Sequence, residues 1–368
     1  MKDIVLVVAD LSAGGTQRVV TNLANYWMTH GKNITVITLA GPETDFFELS
    51  DQIQRIVIGR QADSNSFIGG IFANIRRVWA LRCHIKLIRP DVCIGFIGQT
   101  NILLTLAGLG LTTRTVISER NDPRRQSLGY MWDILRRRIY PLAGLVTANS
   151  REVVKALETF VPPGKLAYLP NPVSNLDDEL AGSDQTNKVI AIGRLHYQKG
   201  HDILIEAFAN IAPRHPDWNL DIVGEGDMQA ALQTQISTHR LEERITLTGR
   251  VRDVQNRLSA AKIFALPSRF EGTPNALLEA LSQGLPAIVS DASAGALEFV
   301  HHQQNGLIVP VDDVDALSRA LTHMIKDEAL RQEFAVKSKK MVKKLSLPNV
   351  AAEWERVLQL PGPDTDIH

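Results

Sequence analysis

The sequence predicts an α/β protein of two doubly wound domains, each built on a mostly parallel β-sheet. Three observations support this prediction. Short apolar runs rich in Val and Ile alternate with helical patterns along the chain, and this repeated βα order is typical of parallel sheets. The same series restarts after a polar segment near the middle of the chain. The 368 residues also exceed the roughly 250 to 300 at which a single hydrophobic core stops growing.

The first domain is assigned to residues 1–171. Ile4–Ala9 is a continuous β-rich run, as expected for a strand buried on both faces, and a glycine-containing turn leads to a helical pattern from Thr16 to His30. Gly31 ends that helix. The other predicted strands are Ile34–Leu39, Ile53–Ile58, Val92–Phe96, Thr115–Ser118 and Leu145–Ala148.

The second domain is assigned to residues 172–348, with Asn175–Asn187 as the linker. Its predicted strands are Val189–Ile192, Leu220–Val223, Ile245–Leu247, Ile263–Leu266, Ala287–Ser290 and Leu307–Val309. Its predicted helices are Asp202–Ala212, Met228–His239, Ala276–Gln283 and Ala316–Ile325, and a further helical stretch covers Val350–Leu358. Ligands of such sheets bind beyond the carboxyl ends of the strands, so two facing edges would enclose one interdomain cleft.

Two glutamates flank the start of a predicted helix in the second domain. Glu271 lies in the loop that follows a strand, and Glu279 lies about one turn inside the helix. A helix amino end carries a partial positive charge, so the N–H groups of its first turn would bind phosphate oxygens. The residues of that turn are Asn275, Ala276 and Leu277. Two carboxylates around such a site suit the hydroxyls of a sugar nucleotide, although the spacing alone also fits two solvated charges.

A phosphate ligand would also need cations nearby. Arg194 and Lys199 follow the strand Val189–Ile192 directly; arginine offers a planar fork to phosphate oxygens and lysine a compact charge. In the first domain, Gly14 and Gly15 allow the backbone to approach a diphosphate closely. The alternative interpretations are loop-surface cations and a glycine pair that is common to any sheet of this kind.

The charges are unevenly distributed, although the formal net charge is +0. Residues 1–171 carry 20 Lys and Arg against 13 Asp and Glu, whereas residues 172–368 carry 20 against 27. This asymmetry predicts an anionic partner for the first half. Nucleic acid is not the expected partner, because the basic half lacks interleaved aromatic residues and any recognised binding motif.

The sequence predicts neither a metal site nor a bound cofactor. Cys83 and Cys93 lack metal-ligand spacing, and no two histidines share a helix face at ligand spacing. Asp364 and Asp366 have the Asp-x-Asp form of some metal sites, but they lie in a polar tail after two prolines. The absence of a G-x-G-x-x-G fingerprint and of a P-loop argues against a nicotinamide enzyme or an NTPase.

These features resemble the retaining glycosyltransferases of the GT-B fold, glycosyltransferase family 4. Glu271 and Glu279 match the two glutamates of the family's E-x7-E signature, and Gly14-Gly15 falls in its glycine loop. Other matching segments follow in the family's order: Gly193–Gly200, Val223–Gly226, Thr248–Val251 and Gly284–Pro286. The resemblance implies two Rossmann-like domains facing across a cleft, with the last helix, at about residues 349–360, packing back on the first domain.

The resemblance also implies roles for individual residues. Glu271 would hold hydroxyls of the donor sugar, and Glu279 would accept hydrogen bonds from both ribose hydroxyls. Arg250 and Val251 would lie beside the base. The donor would be a nucleotide sugar, expected to be UDP-linked, and the two cations and the helix amino end would replace a metal ion at the diphosphate.

Three positions depart from the family's pattern. Arg120 stands where many relatives carry His, which leaves its role open. Thr273 replaces a frequent aromatic or apolar residue, and the loop Asp291–Glu298 lacks the common prolines and threonine. The identity of the donor sugar is therefore not predicted.

Residues Phe67–Arg89 combine apolar side chains with arginines and lysines in a basic amphipathic pattern. Such a face can lie on an anionic membrane, and it equally fits a helix that covers a sheet with a solvated basic side. No apolar run approaches the roughly 20 residues that span a bilayer, and the amino terminus lacks a signal-peptide pattern. We expect a cytoplasmic protein at the inner face of the cytoplasmic membrane.

The preferred interpretation is an enzyme of surface polysaccharide biosynthesis. It would move a hexose or N-acetylhexosamine from a UDP-sugar to a polyprenyl diphosphate-linked oligosaccharide, with retention of configuration. The alternatives are a soluble glycosyltransferase acting on a free sugar or sugar phosphate, and a noncatalytic sugar-nucleotide-binding subunit. The joint presence of Arg194, Lys199, Glu271 and Glu279 weighs against the noncatalytic alternative.

Overall fold

The computed structural model describes residues 3–59, 67–173, 185–292 and 294–359. The chain divides into two compact units, one formed by Met1–Pro172 with Leu347–His368 and the other by Val173–Ser346. The predicted linker lies outside the described residues except for its last three, and the Asp364–Asp366 tail lies wholly outside them.

The first unit is built on a parallel sheet. Its described strands are β1 (Asp3–Val8), β2 (Asn33–Thr38), β3 (Gln54–Val57), β4 (Val92–Phe96), β5 (Arg114–Glu119), β6 (Leu145–Ala148) and β7 (Leu166–Tyr168). They lie in the order β3-β2-β1-β4-β5-β6-β7. Ile4 of β1 pairs with Ile34 on one side and with Val92 on the other. The order reverses between β1 and β4, and sheets of this type bind ligands at that point.

Helices cover both faces of this sheet. Before the unit boundary they are α1 (Gly15–Thr29), α2 (Phe67–Ile88), α3 (Gly98–Gly108), α4 (Tyr130–Ile139) and α5 (Arg151–Leu157). Alternate residues of β1 serve the two faces, because successive strand side chains point in opposite directions. Ile4 and Leu6 belong to the core that contains α1, whereas Val5 and Val7 belong to the core that contains α2 and α3.

The second unit repeats the arrangement. Its strands are β8 (Lys188–Ile192), β9 (Asn219–Val223), β10 (Ile245–Gly249), β11 (Ile263–Leu266), β12 (Ala287–Ser290) and β13 (Gly306–Val309). They lie in the order β10-β9-β8-β11-β12-β13 and pair in parallel, so the reversal falls between β8 and β11. Its described helices are α6 (His201–Ile211), α7 (Gln229–Thr238), α8 (Val254–Ser259), α9 (Asn275–Ser282), α10 (Ala294–Leu297), α11 (Val314–Lys326) and α12 (Glu328–Val342).

The last described helix, α13 (Leu347–Gln359), belongs to the first unit. Trp354 is fully buried in the core around α1. Its ring meets that of Trp27 edge-on, with 6.3 Å between the ring centroids. The Arg114 Nη1 donates to the backbone oxygen of Leu358 at 2.5 Å. The amphipathic sequence of this helix therefore buries its apolar stripe on the first unit.

The sequence analysis did not predict strand β7 or helices α8, α10 and α12. Helices α8 and α10 have six and four residues, too few to show a helical period. Strand β7 has three residues, all half-buried, too few to show an alternating pattern. Helix α12 buries Phe334, Ser338 and Val342, a stripe with only two apolar side chains. Within the described ranges, no helix is both long and apolar enough to cross a bilayer.

Candidate functional site

The predicted ligand-binding residues of the second unit follow strands at one edge of its sheet. Arg194 and Lys199 follow β8, Arg250 and Val251 follow β10, and Glu271 follows β11. Carboxyl ends of parallel strands lie at the same edge, so the fold gathers these residues. The loops after β8 and β11 flank the reversal of strand order, the usual ligand position.

Lys199 and Glu271 meet at this edge. The Lys199 Nζ lies 2.5 Å from Glu271 Oε1. The same Oε1 accepts a hydrogen bond from Ser268 Oγ at 2.8 Å. The side chains are 17% and 7% exposed, respectively. Because Oε1 receives both donors and no other partner of Glu271 occurs in the described part of the chain, Oε2 is the oxygen left to accept from a ligand.

The backbone brings these two loops together. Arg269 N donates to Gln198 O at 2.7 Å, and Gln198 Nε2 donates to Phe270 O at 2.9 Å. Gly200 has a φ of +65°, and a Cβ at this position would lie 2.1 Å from Pro267 O. Only glycine fits such a conformation and approach. The glycine after Lys199 thus lets the β8 loop lie directly against the β11 loop.

Helix α9 begins four residues after Glu271. Pro274 is its N-cap residue, and Leu277 and Leu278 donate their N–H groups to Pro274 O at 3.1 and 3.3 Å. Of the three residues predicted to bind phosphate, Leu277 thus has its N–H engaged in the free protein. Asn275 and Ala276 are half-buried. Glu279 lies in the second turn, 7% exposed.

The remaining predicted residues of this edge differ in their surroundings. Arg194 is exposed, and its side chain has no hydrogen-bond or ion-pair partner among the described residues. The Arg250 Nη2 lies 3.3 Å from Glu225 Oε2, and these side chains are 49% and 51% exposed. Val251 packs against the core beside α9. Lys199 is therefore the predicted cation that the fold holds in place, whereas Arg194 is held only through its backbone.

His201 lies behind the pair and was not identified from the sequence. It is the first residue of α6 and is 3% exposed. Burial, together with the charge of Lys199, lowers the pKa of His201 to about 4. The backbone of Gly193 and Arg194 interacts with the imidazole and partly opposes this lowering of the pKa, although neither ring nitrogen makes a hydrogen bond of good geometry to a described residue. No sequence signal marked it, because its burial depends on the packing of α6 against the sheet.

The glycine loop of the first unit follows β1. Gly14 is the N-cap residue of α1, and Gly15 is the first residue of the helix. Asp10 Oδ1 accepts from Ser12 N at 3.0 Å, from Ser12 Oγ at 2.5 Å and from Gln17 Nε2 at 3.1 Å. Asp10 therefore braces the loop from within, a role the sequence did not reveal.

Arg120 lies at the carboxyl end of β5 and is 4% exposed. Its Nη1 donates to Asn171 Oδ1 at 2.5 Å, and its guanidinium carbon lies 5.5 Å from the ring centroid of Phe96 and 5.8 Å from that of Trp354. Its Nε and Nη2 have no partner among the described residues. Burial lowers the pKa of Arg120 to about 9, partly opposed by Glu119, so the group stays charged at neutral pH.

Glu119 is buried beside Arg120 but faces other groups. Its Oε2 accepts from the Tyr140 hydroxyl at 2.8 Å, and its Oε1 accepts from the backbone N–H groups of Arg120 and Asn121. Burial raises the pKa of Glu119, while the Tyr140 hydrogen bond and the charge of Arg136 lower it. Both oxygens of this carboxylate therefore already accept hydrogen bonds from residues of the first unit.

No group of three or more His, Cys, Asp or Glu side chains could hold a metal ion in the ranges that the structure describes. Asp364 and Asp366 fall outside those ranges. Metal independence stays a prediction.

Two family models match adjacent parts of the chain. Glycosyltransferase Family 4 matches residues 13–175, and Glycosyl transferases group 1 matches residues 174–341. An N-acetyl-D-galactosaminyltransferase of Campylobacter jejuni, named for a diphosphoundecaprenol-linked GalNAc-GalNAc-diNAcBac glycan, is 27% identical over 97% of this chain and 98% of its own length. A UDP-Gal:α-D-GlcNAc-diphosphoundecaprenol α-1,3-galactosyltransferase of Escherichia coli is 27% identical over 79% of each chain.

Solved structures agree in fold. Sucrose-phosphate synthase of Thermosynechococcus elongatus matches with a TM-score of 0.81 at 18% identity, over 97% of this chain and 98% of its own. The Anabaena HepE protein, solved with UDP and glucose, matches with a TM-score of 0.78 at 19% identity, over 98% and 100% of the two chains. The predicted fold class, α/β with two Rossmann-like domains of the GT-B type, is confirmed.

Proposed function

Since this chain belongs to the glycosyltransferases described by the group 1 and family 4 models, we propose that it transfers a hexose or N-acetylhexosamine from a UDP-sugar to a polyprenyl diphosphate-linked oligosaccharide. The transfer retains the anomeric configuration and serves surface polysaccharide biosynthesis. One observation carries this proposal. A lysine ammonium and a glutamate carboxylate, Lys199 and Glu271, touch at the ligand edge of the second sheet, four residues before helix α9.

The donor half of the proposal follows from the charge that bond breaking releases. As the glycosidic bond stretches, the leaving diphosphate oxygen gains negative charge, and fixed donors aimed at it lower the barrier. Lys199 supplies a cation that is held in place, Arg194 supplies an exposed cation, and the amino end of α9 supplies the partial positive charge of the helix. The name of the Escherichia coli relative, which includes UDP-Gal, and the HepE structure with UDP support uridine as the base.

Glu271 orients the donor sugar in this scheme. Its Oε1 is occupied by Lys199 and Ser268, so Oε2 accepts hydrogen bonds from sugar hydroxyls. Glu279 accepts from the ribose hydroxyls, and Arg250 with Val251 borders the base. A double displacement would need a nucleophilic carboxylate about 5 Å from a second carboxyl group. With Glu271 engaged on hydroxyls, same-face attack in which the departing diphosphate takes the acceptor proton is the proposed route.

The lipid-linked acceptor is supported by the names of the two relatives, both of which act on undecaprenyl diphosphate-linked glycans. The first unit adds a surface suited to a membrane. On α2, Ile71, Phe72, Ile75 and Trp79 are exposed, and the four-residue spacing of Ile71, Ile75 and Trp79 puts them on one stripe. Exposed Arg76 borders this stripe. An apolar stripe with basic flanks binds anionic lipid surfaces.

Flotation with phosphatidylglycerol-containing vesicles tests the membrane surface. The double variant Phe72→Ser with Trp79→Ser should stay at the bottom of the gradient at physiological salt, whereas the wild type floats. Val336→Ser, which removes a side chain of 72% exposure on the second unit, is the matched control and should float. A wild type that does not float would refute the membrane contact.

The activity is tested by screening sugar nucleotides against a synthetic polyprenyl diphosphate glycan. We expect turnover with one UDP-sugar, an α- or β-linkage matching the donor anomer by NMR, and the same rate after EDTA treatment. Activity restored only by Mn²⁺ or Mg²⁺ would refute metal independence. Turnover with water-soluble sugars alone would replace the lipid-linked acceptor by a soluble one.

A further inference from the structure

Arg269 lies two residues before Glu271, and its guanidinium contacts three residues in two other segments of the chain. Its Nη1 and Nη2 donate to the two carboxylate oxygens of Asp202 at 3.0 and 2.7 Å. Nη1 also donates to Tyr197 O at 2.7 Å, and Nε donates to Asp312 Oδ1 at 2.7 Å. The Arg269 side chain is 9% exposed, and its two contacts with Asp202 are partly buried. The Asp312 side chain is 46% exposed, so that contact is open to water.

These partners bracket the lysine of the site. Tyr197 and Asp202 belong to the segment that carries Lys199, from the end of the β8 loop to the first turn of α6. Arg269 belongs to the segment that carries Glu271. The guanidinium therefore joins the segment that carries Lys199 to the segment that carries Glu271. It adds to the two hydrogen bonds that Gln198 makes between the same segments.

The geometry of these contacts requires arginine. A guanidinium presents its donors in a planar fork that matches both oxygens of one carboxylate and can also lie over an aromatic ring. Here the guanidinium carbon lies 4.0 Å from the centroid of the Tyr197 ring. A lysine ammonium would keep the charge but could not make the paired contact with Asp202, the Asp312 contact and the stacking together.

We propose that Arg269 is a positioning residue of the transferase reaction. It fixes the β8 loop against the β11 loop and so holds Lys199 at Glu271. This inference rests on the proposed function, because the value of the contact lies in presenting a cation and a carboxylate to the donor. Arg269 itself forms no hydrogen bond or ion pair with Lys199 or Glu271 in the described structure, so it acts through them.

The variant Arg269→Lys tests the inference, and Arg244→Lys serves as its control. Arg244 is a matched control: its Nε and Nη2 donate to Trp218 O and His215 O at 2.8 Å, before the amino end of β10 and away from the ligand edge. A displacement of about 1 Å at a reacting group can cost roughly 100-fold. We expect R269K to lower kcat about 10- to 100-fold with KM for the donor within about threefold, and R244K to leave kcat within about threefold.

A double-mutant cycle separates positioning from a general loss of structure. If Arg269 acts through Glu271, R269K should change the residual kcat of Glu271→Gln by less than about twofold. A full 10- to 100-fold loss in the E271Q background would overturn the inference, as would an unchanged kcat of R269K in the wild-type background.

A structural measurement keeps the test independent of activity. In a crystal structure of R269K, the Lys199 Nζ should lie more than 4 Å from Glu271 Oε1, compared with 2.5 Å here. A retained contact would overturn the positioning role even if every sugar nucleotide proved inactive. Conversely, an inactive wild type with a broken contact in R269K would refute the proposed function, while still showing that Arg269 holds Lys199 at Glu271.

Discussion

The two units share the same strand order around their central strands but use the carboxyl edge of the sheet differently. At the second edge, Lys199 and Glu271 form an ion pair, and Lys199 keeps 17% of its side chain exposed. At the first edge, Arg120 is 4% exposed and contacts the rings of Phe96 and Trp354, with no ion pair among the described residues. The cation of the second edge is paired and partly exposed, whereas the cation of the first edge is buried.

A buried His or Arg side chain also lies at each edge, and burial leaves the two in different charge states at neutral pH. It lowers the pKa of His201 to about 4, which leaves the imidazole neutral at pH 7. It lowers the pKa of Arg120 to about 9, which leaves the guanidinium charged. The same type of sheet thus carries an ion pair that a ligand can reach, Lys199 with Glu271, and a buried cation, Arg120. The buried cation is held by aromatic rings and by Asn171.

The largest effect is expected at the accessible pair. Glu271→Gln keeps the shape of the side chain but removes its charge, so turnover should fall roughly 100- to 1000-fold, as it does when one fixed transition-state contact is lost. Titration calorimetry of this variant should still show UDP binding. Glu333→Gln, which breaks the exposed Lys337–Glu333 pair on α12, is the matched control. Near-normal turnover of E271Q would mean that the Lys199–Glu271 pair contributes no more to catalysis than the control pair does.

The next effect concerns His201 and pH. Since its folded pKa is lower than the unfolded value near 6.5, the unfolded state takes up a proton first, and stability falls as pH decreases from 6.5 towards 4. The shift corresponds to a loss of about 3 kcal/mol in this window. His201→Gln should therefore gain stability relative to the wild type on acidification, measured by urea unfolding.

The same two proteins provide the internal control for His201. Between pH 7 and 8 the imidazole is neutral in both folded and unfolded states, so the difference in unfolding free energy between wild type and H201Q should stay constant there. A constant difference between pH 6.5 and 4 would show that His201 takes up its proton in the folded protein as readily as in the unfolded chain.

A smaller effect is expected at the first edge. Arg120 is a buried cation with two unpartnered donors, and replacement of such a charge by an apolar group of similar volume is often neutral or stabilising. We expect Arg120→Met to raise the free energy of unfolding by about 1 kcal/mol. The comparison variant is Arg82→Met. It removes N–H groups that donate to Ala107 O and Leu109 O, so it should lower the free energy of unfolding. Destabilisation of R120M beyond that of R82M would contradict the cost assigned to the buried charge.

The smallest effect is expected at the Arg250–Glu225 pair. Its side chains are about half exposed, and exposed pairs contribute little to stability because water and salt screen them. Glu225→Gln should change the free energy of unfolding by less than about 0.5 kcal/mol. A loss comparable to that of a buried contact would mean that this pair is closed off from solvent in solution.

Much of the fold and part of the site could be predicted from local patterns. The apolar runs located every strand except the three-residue β7, because buried strands need β-branched residues wherever they occur. Glu271, Lys199 and Arg194 were predicted because they match the family's motifs and lie in loops that follow strands, and their roles stay predictions. The pattern did not distinguish Lys199, which is held in an ion pair, from Arg194, whose side chain is exposed, because both simply follow β8.

The sequence by itself determined the repeated βα order, the two sheets and the residues that follow each strand. Only the tertiary structure decided which loops meet. β8 lies beside β11 although β9 and β10 intervene in the chain, so Lys199 meets Glu271, and Arg269 meets Asp202, across about 70 residues of sequence. Burial of Arg120 and His201 likewise depends on helices that pack over the sheet. Local propensity is set by neighbours in sequence, whereas these contacts depend on the order in which strands pair, which no local pattern specifies.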